Sequence, residues 1–592
     1  MYTYTDIKLQ NQQDAFSAMF LYVSRNILRL CGERTGEGVV REAVRRAGRA
    51  SGRRQMERLR AAGVKTNLHN LFSCGRDFTE DPRMREKAVF DEEDRQIWEV
   101  YTCPLADFWN RRGGGKLGSF YCEEYQYARV LAFTEGVGQL NLSKELTCPR
   151  DNFCRFSLYF REANMTPQRA KETFAHCDPG YQAPAELPAD AAFGAGVRDM
   201  TISIYCHLVE VARERCGRGA QGVECPGAGG PAYPGRPHAL PAGPYLCGKE
   251  FPAAAAHRRR GGLGAVSGPG GPEDDAESGA GSHCSCTGLR KEIGEMYTYE
   301  EQCVMDLSDN YTVLYSFLGR ALIDAAGVEG ERALREGTRR YGRDRGECSR
   351  RQHLALGVKI NMQSLFSVGG DLPPDPRFHR ELQELNPEER VSHTLVCPMA
   401  DIWKAYGERE IGRMYCEEFH PACYNHYAYD YGHTNLAKTL TQEKDEYCAF
   451  NVVLRAENLP DELKPLCFAQ YDPGYVAPKV NPPQANGKRG FETLSIKLYY
   501  YLLEAAQEQL GEAGTAAIAS GLEKMARDGA QRAKKTAQAY GRPLDEQVVY
   551  DTYPLTLDPA KTDLWEGYRD HGSVELFLQH FVPAFRSEMA KG

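Results

Sequence analysis

The second half of the chain repeats the first at a constant shift of 294 residues, as from Cys103 to Cys397, and no other feature limits the fold so tightly. Gly48-Arg49 matches Gly342-Arg343, Asn67 matches Asn361, and Asp81-Pro82-Arg83 matches Asp375-Pro376-Arg377. Farther on, Asn141-Leu142 matches Asn435-Leu436, and Asp178-Pro179-Gly180-Tyr181 matches Asp472-Pro473-Gly474-Tyr475. Both copies begin Met-Tyr-Thr-Tyr, at Met1 and Met296, one residue out of that register. A period this long is a duplicated domain, not a solenoid unit.

The register ends abruptly at Gly217 and Gly511. We therefore divide the chain into a first copy, 1–217, an intervening segment, 218–295, and a second copy, 296–592. The second copy goes on with helical patterns over Ala516 to Tyr540 and Val574 to Met589. Segment 218–295 is rich in glycine and proline and lacks apolar periodicity, the composition of a disordered linker. Its length is close to that of the second copy's tail and a full start signature returns at Met296, which also fits an out-of-frame reading of the same tail.

A chain of 592 residues exceeds one core, and 42% hydrophobic with 26% charged residues is ordinary for folded domains. A net charge of -8 argues against nucleic acid as a partner. The first residues are polar, and the best apolar stretch, Phe16 to Leu30, is broken by Arg25, Asn26 and Arg29, so neither an export signal nor a membrane span is expected. These features predict a cytoplasmic protein whose 20 cysteines act as free thiols, ligands or nucleophiles.

In the first copy, helical patterns cover 10–30 and 38–62, where Ala47, Gly48, Ala50 and Gly52 allow close packing. Alternation over Gln96 to Thr102 predicts a strand that delivers Cys103 at its end. A helix over 116–133 and paired strands over 139–147 and 152–160 complete an α+β domain, N-terminal helices packed on an antiparallel sheet. Duplicated in tandem, the two domains are expected to pair as a pseudo-dimer.

The densest motif is Cys-Pro-x-Ala-Asp-x-Trp, then Gly-x-x-Tyr-Cys-Glu-Glu, then Asp-x-x-Cys-x-Phe. It comprises Cys103, Asp107, Trp109, Gly118, Tyr121, Cys122, Glu123, Glu124, Asp151 and Cys154 in the first copy. In the second it comprises Cys397, Asp401, Trp403, Gly412, Tyr415, Cys416, Glu417, Glu418, Asp445 and Cys448. At these residues the pattern resembles the L-2-amino-thiazoline-4-carboxylic acid hydrolase family, over about 160 residues per copy. The resemblance implies a hydrolase that opens a thiazoline ring to give N-carbamoyl-L-cysteine. A weaker, fold-level similarity to the 4-vinyl reductase domain implies the alternative, a non-catalytic small-molecule sensor.

Ring opening needs a nucleophile or base at the C=N carbon and a proton for the departing sulfur. Cys103 or Cys397 could attack, Asp107 or Asp401 carry the proton, and Glu123 or Glu417 act as acid, with Cys122 and Cys416 beside them. Three spaced cysteines could equally pack the sheet, or hold zinc, although they lack close Cys-x-x-Cys pairs. Asp151, Cys154, Asp445 and Cys448 are assigned to structure or to such a ligand set, and no cofactor is required. The copies share no histidine, since His69, His176 and His207 face Gln363, Gln470 and Tyr501.

A small carboxylate substrate calls for a cation, supplied by Arg49 and Arg343 or by Arg161 and Arg455, each of which could instead form a structural ion pair. Trp109 and Trp403 could wall the pocket or belong to the core, and Asn164 and Asn458 suit a turn. The second copy adds His420, Cys423, His426 and His433 around Pro421, which is expected to interrupt the helix there.

Overall fold

Two long helices open each copy because their small residues let them approach their neighbours. In this computed structural model, which describes residues 2–77, 81–217, 297–368, 372–480 and 486–591, α1 spans Tyr4–Cys31 and α2 spans Glu33–Ala61. A Cβ on Gly52 would lie 2.1 Å from the carbonyl oxygen of Arg129, so α2 rests backbone to backbone on α5, Gly115–Phe133. Between them come α3 (Leu68–Ser73), β1 (Arg85–Asp91), β2 (Arg95–Thr102) and α4 (Pro104–Arg111). After α5 follow β3 (Gln139–Lys144), β4 (Cys154–Tyr159), α6 (Pro167–Thr173) and α7 (Phe193–Cys216). The sheet is antiparallel in the order β1-β2-β4-β3.

The second copy repeats this plan with α8 (Tyr299–Ala326), α9 (Val328–Ala355), α10 (Met362–Ser367), β5 (His379–Leu385), β6 (Glu389–Val396) and α11 (Pro398–Ala405). It continues through α12 (Arg409–Tyr427), β7 (His433–Lys438), β8 (Cys448–Val453), α13 (Lys464–Cys467) and α14 (Gly487–Leu510). Its sheet runs β5-β6-β8-β7. The tail, led by α15 at Glu512–Ala539, packs back on α8. The fold is thus α+β, helices on an antiparallel sheet, twice over. Segment 218–295, with its two readings, lies outside the described residues.

Both copies fall in one compact unit, and their sheets meet along β3 and β7. There Asn435 accepts from the Leu142 amide at 2.9 Å and Asn141 from the Leu436 amide at 3.1 Å, a reciprocal pair. Arg155 crosses to Asp445 at 2.7 Å.

Three expectations need correction. Pro421 does not interrupt α12, which runs straight through it. The carbonyl that loses its amide partner, that of Glu417, accepts instead from Gln139 of the first copy at 3.4 Å. The cysteines are not all free, since Cys31 and Cys216 form a disulfide tying the ends of α1 and α7. Finally, β1 and β5 were missed by the alternation argument because their residues are mostly exposed and charged, as suits an edge strand. Among the described residues no helix is long and apolar enough to cross a membrane.

Candidate functional site

Cys103 leaves the end of β2 as the residue capping α4, with Pro104 at the first helical position. The helix α5 brings Cys122 over the same face of the sheet, and β4 supplies Cys154. All three line one cleft of about 360 Å³ with Trp98, Phe156, Tyr121, Gln126 and Arg129. The topology therefore gathers three cysteines from three elements.

Their thiols are not equivalent. Burial raises Cys103 above its ordinary value, and the Ala106 and Leu105 amides pull it partway back, although the cap makes no full hydrogen bond. Burial holds Cys122 and Cys154 well above theirs. Cys154 also accepts from the Leu146 amide at 3.2 Å, which fixes the β3–β4 connection. In the second copy, Cys416 is held well up and Cys448 is pushed up to about 12, while the Leu440 amide donates to Cys448 at 3.3 Å. Cys397 is raised by burial and by the charge of Asp401 and drawn down by the Ala400 and Met399 amides and by the charge of Arg380. Cys103 feels Asp107, the equivalent of Asp401, and a second carboxylate, Asp81, where Cys397 feels Arg380.

The rest of the motif serves architecture. Trp109 and Trp403 are fully buried in the core, not at a pocket wall. A Cβ on Gly118 would lie 2.5 Å from the Trp109 ring, and one on Gly412 would lie 2.3 Å from that of Trp403, so each glycine makes room for its tryptophan. Asp107 and Asp401 face solvent beside Arg111 and Lys404. Asp151 and Asp445 each accept an amide, of Glu145 and Thr439, in the β3–β4 and β7–β8 connections. Arg49 pairs with Glu42 and does not line the cleft of the first copy, and Arg343 is exposed.

The two glutamates join the copies. Glu123 accepts from Arg41 at 2.6 Å and from Arg455 of the second copy at 2.7 Å. Glu417 accepts from Arg335 at 2.8 Å and from Arg161 of the first copy at 2.7 Å. Next to them, Glu124 binds Arg45 and Asn458, and Glu418 binds Arg339 and Asn164. Despite their burial, these arginines hold Glu123 and Glu417 well below the usual carboxylate range. A general acid must carry a proton near neutral pH, so this placement removes Glu123 and Glu417 from that role. It also assigns Arg161 and Arg455 to ion pairs, and Asn164 and Asn458 to the same network.

Of the added histidines, His426 pairs with Asp430 and His433 packs on Tyr127 across the junction. The grouping of metal-type ligands found among the described residues is Glu162, His176 and Cys177, away from the cysteine cleft. Sequence reasoning missed Arg380 and Arg390. Their signal was present in the repeat, because the first copy carries Glu86 and Gln96 at those positions.

Both copies match one protein-family model, described as L-2-amino-thiazoline-4-carboxylic acid hydrolase, over residues 10–156 and 310–452. No curated protein and no solved structure matches the chain.

Proposed function

Because both copies belong to the L-2-amino-thiazoline-4-carboxylic acid hydrolase family, we propose that the chain hydrolyses L-2-amino-thiazoline-4-carboxylate or a closely related cyclic amidine, with Cys397 as nucleophile. One observation carries the choice of residue. Cys397 sits at the start of α11, where the Ala400 and Met399 amides and the charge of Arg380 favour its thiolate against burial and the charge of Asp401. An amidinium substrate placed beside it would lower the thiol further.

The thiolate attacks the amidine carbon and forms a carbon–sulfur bond. Collapse breaks the ring carbon–sulfur bond, and the ring sulfur leaves with the electron pair and takes a proton from solvent. Water then displaces Cys397 from the isothiourea, returning the thiolate and leaving the urea carbonyl of N-carbamoyl-L-cysteine. Substrate and one water account for every atom. A thiolate is a good leaving group, so the mechanism does not need the acid that Glu417 would have supplied.

The test is incubation of the full chain with L-2-amino-thiazoline-4-carboxylate, following free thiol release and product mass. Stoichiometric appearance of N-carbamoyl-L-cysteine supports the reading. Folded protein that releases no thiol overturns it in favour of a binding module.

A further inference from the structure

A charged side chain placed in a protein interior needs a partner, and the chain obeys this almost throughout. Arg41, Arg155, Arg161 and Arg335 are all deeply buried and each is paired with at least one carboxylate. Arg390 is different. It is 5% exposed and its guanidinium lies 4.2 Å over the ring of Phe366. Among the described residues it has neither an acidic partner within 4.0 Å nor a side-chain hydrogen bond.

The strand register shows what surrounds it. Arg390, Ser392 and Thr394 alternate along β6 and so share one face, and they pair with Val452, Phe450 and Cys448 of β8. Arg380 of β5 pairs with Thr394 and donates to its hydroxyl at 3.2 Å. His420 of α12 covers the same face, its ring 5.1 Å from that of Phe450 and 5.5 Å from that of Tyr424. Both the Ser392 hydroxyl and His420 Nδ1 are buried with no hydrogen-bond partner. Among the described residues, one buried cation without a counter-ion, the exposed Arg380 at its edge, and two orphaned polar atoms thus lie on the face that carries Cys448 and leads to Cys397.

We propose that this face of the second sheet binds a small carboxylate, with Arg390 and Arg380 as its counter-charges and Ser392 and His420 completing its hydrogen bonds. The inference rests on the hydrolase reading only for the identity of the ring that carries the carboxylate. Arg380 bonds Thr394, three residues before Cys397 on the strand that leads to it, so a ring held by its carboxylate there lies toward the nucleophile. The first copy does not offer the site. Its equivalents of Arg380, Arg390 and Ser392 are Glu86, Gln96 and Trp98, and Trp98 stacks on Phe156 at 4.8 Å. The cleft's own arginine there, Arg129, already donates to Gln55 at 2.6 Å. The two copies therefore differ in ligand: an anion belongs to the second alone.

Calorimetric titration of the full chain with L-thiazolidine-4-carboxylate, which lacks the reactive C=N bond, and with carboxylate-free thiazolidine tests this. The wild type should bind only the carboxylate. Arg390→Gln, which installs the residue the first copy carries and so preserves a tolerated packing, should weaken binding at least about tenfold. Arg390→Lys keeps the charge without the planar fork and should fall between the two. Absence of binding, equal binding of both probes, or a smaller loss in Arg390→Gln overturns the proposal. Arg390-dependent binding without any ring opening would sink the hydrolase reading and leave the carboxylate site standing; ring opening untouched by Arg390→Gln would do the reverse.

Discussion

Replacing Glu123 by glutamine separates an architectural carboxylate from a catalytic one. Its two arginine partners, one from each copy, hold it at about 2 against an ordinary 4.5. A tenfold change in protonation equilibrium corresponds to about 1.4 kcal/mol, so the ionised group contributes about 3 kcal/mol to the folded state. Breaking a buried ion pair by removing one partner costs a similar amount, about 3–5 kcal/mol. Because the folded value lies below the unfolded one, this contribution is complete above about pH 4.5 and is lost as the pH falls toward 2. Urea unfolding of the full chain should therefore show Glu123→Gln about 3 kcal/mol less stable at pH 7. The gap to wild type should narrow as the pH drops through that window. An unchanged midpoint at pH 7, or normal stability with a collapsed turnover, would refute the ion-pair argument and restore the acid role.

Gly52→Ala sets a Cβ against the Arg129 carbonyl and should destabilise the first copy by about 1–3 kcal/mol, read as a lower thermal midpoint. An unshifted midpoint would mean α2 and α5 can separate freely. Reduction of Cys31–Cys216, which closes a loop of 185 residues, should remove up to about 5 kcal/mol by the chain-entropy relation. Equal melting with and without reductant contradicts it. Cys448→Ser should lower the melting temperature before it lowers turnover, because its sulfur holds the Leu440 amide in the sheet connection. A loss of turnover at unchanged stability would move Cys448 into the chemistry.

The fold was legible where pattern is local. Alternation over 96–102 and the small residues at Gly48 and Gly52 identified a strand and a close helix pair that the structure contains. Long-range partnership was not legible. Glu123 and Arg455 meet across 332 positions, and nothing in either copy alone distinguishes a carboxylate awaiting a substrate from one awaiting the other copy's arginine. Equal charges at equal positions, Glu123 with Glu417 and Arg161 with Arg455, are what a reciprocal junction requires. Conversely, Arg390 escaped attention because reasoning favoured what the copies share, whereas a site present in one copy shows as a difference. Pro421 misled for a related reason: its cost to the helix is met by Gln139, 282 residues earlier in the chain.

The central claim, that the chemistry belongs to the second copy through Cys397, is tested most directly by thiol release from L-2-amino-thiazoline-4-carboxylate with two full-length variants side by side. A hydroxyl is far less ionised than a thiol at neutral pH while hardly different in size. Cys397→Ser should therefore abolish turnover with an unchanged melting temperature, and Cys103→Ser should leave turnover close to wild type. Wild-type turnover in Cys397→Ser, or its loss in Cys103→Ser alone, would contradict the account.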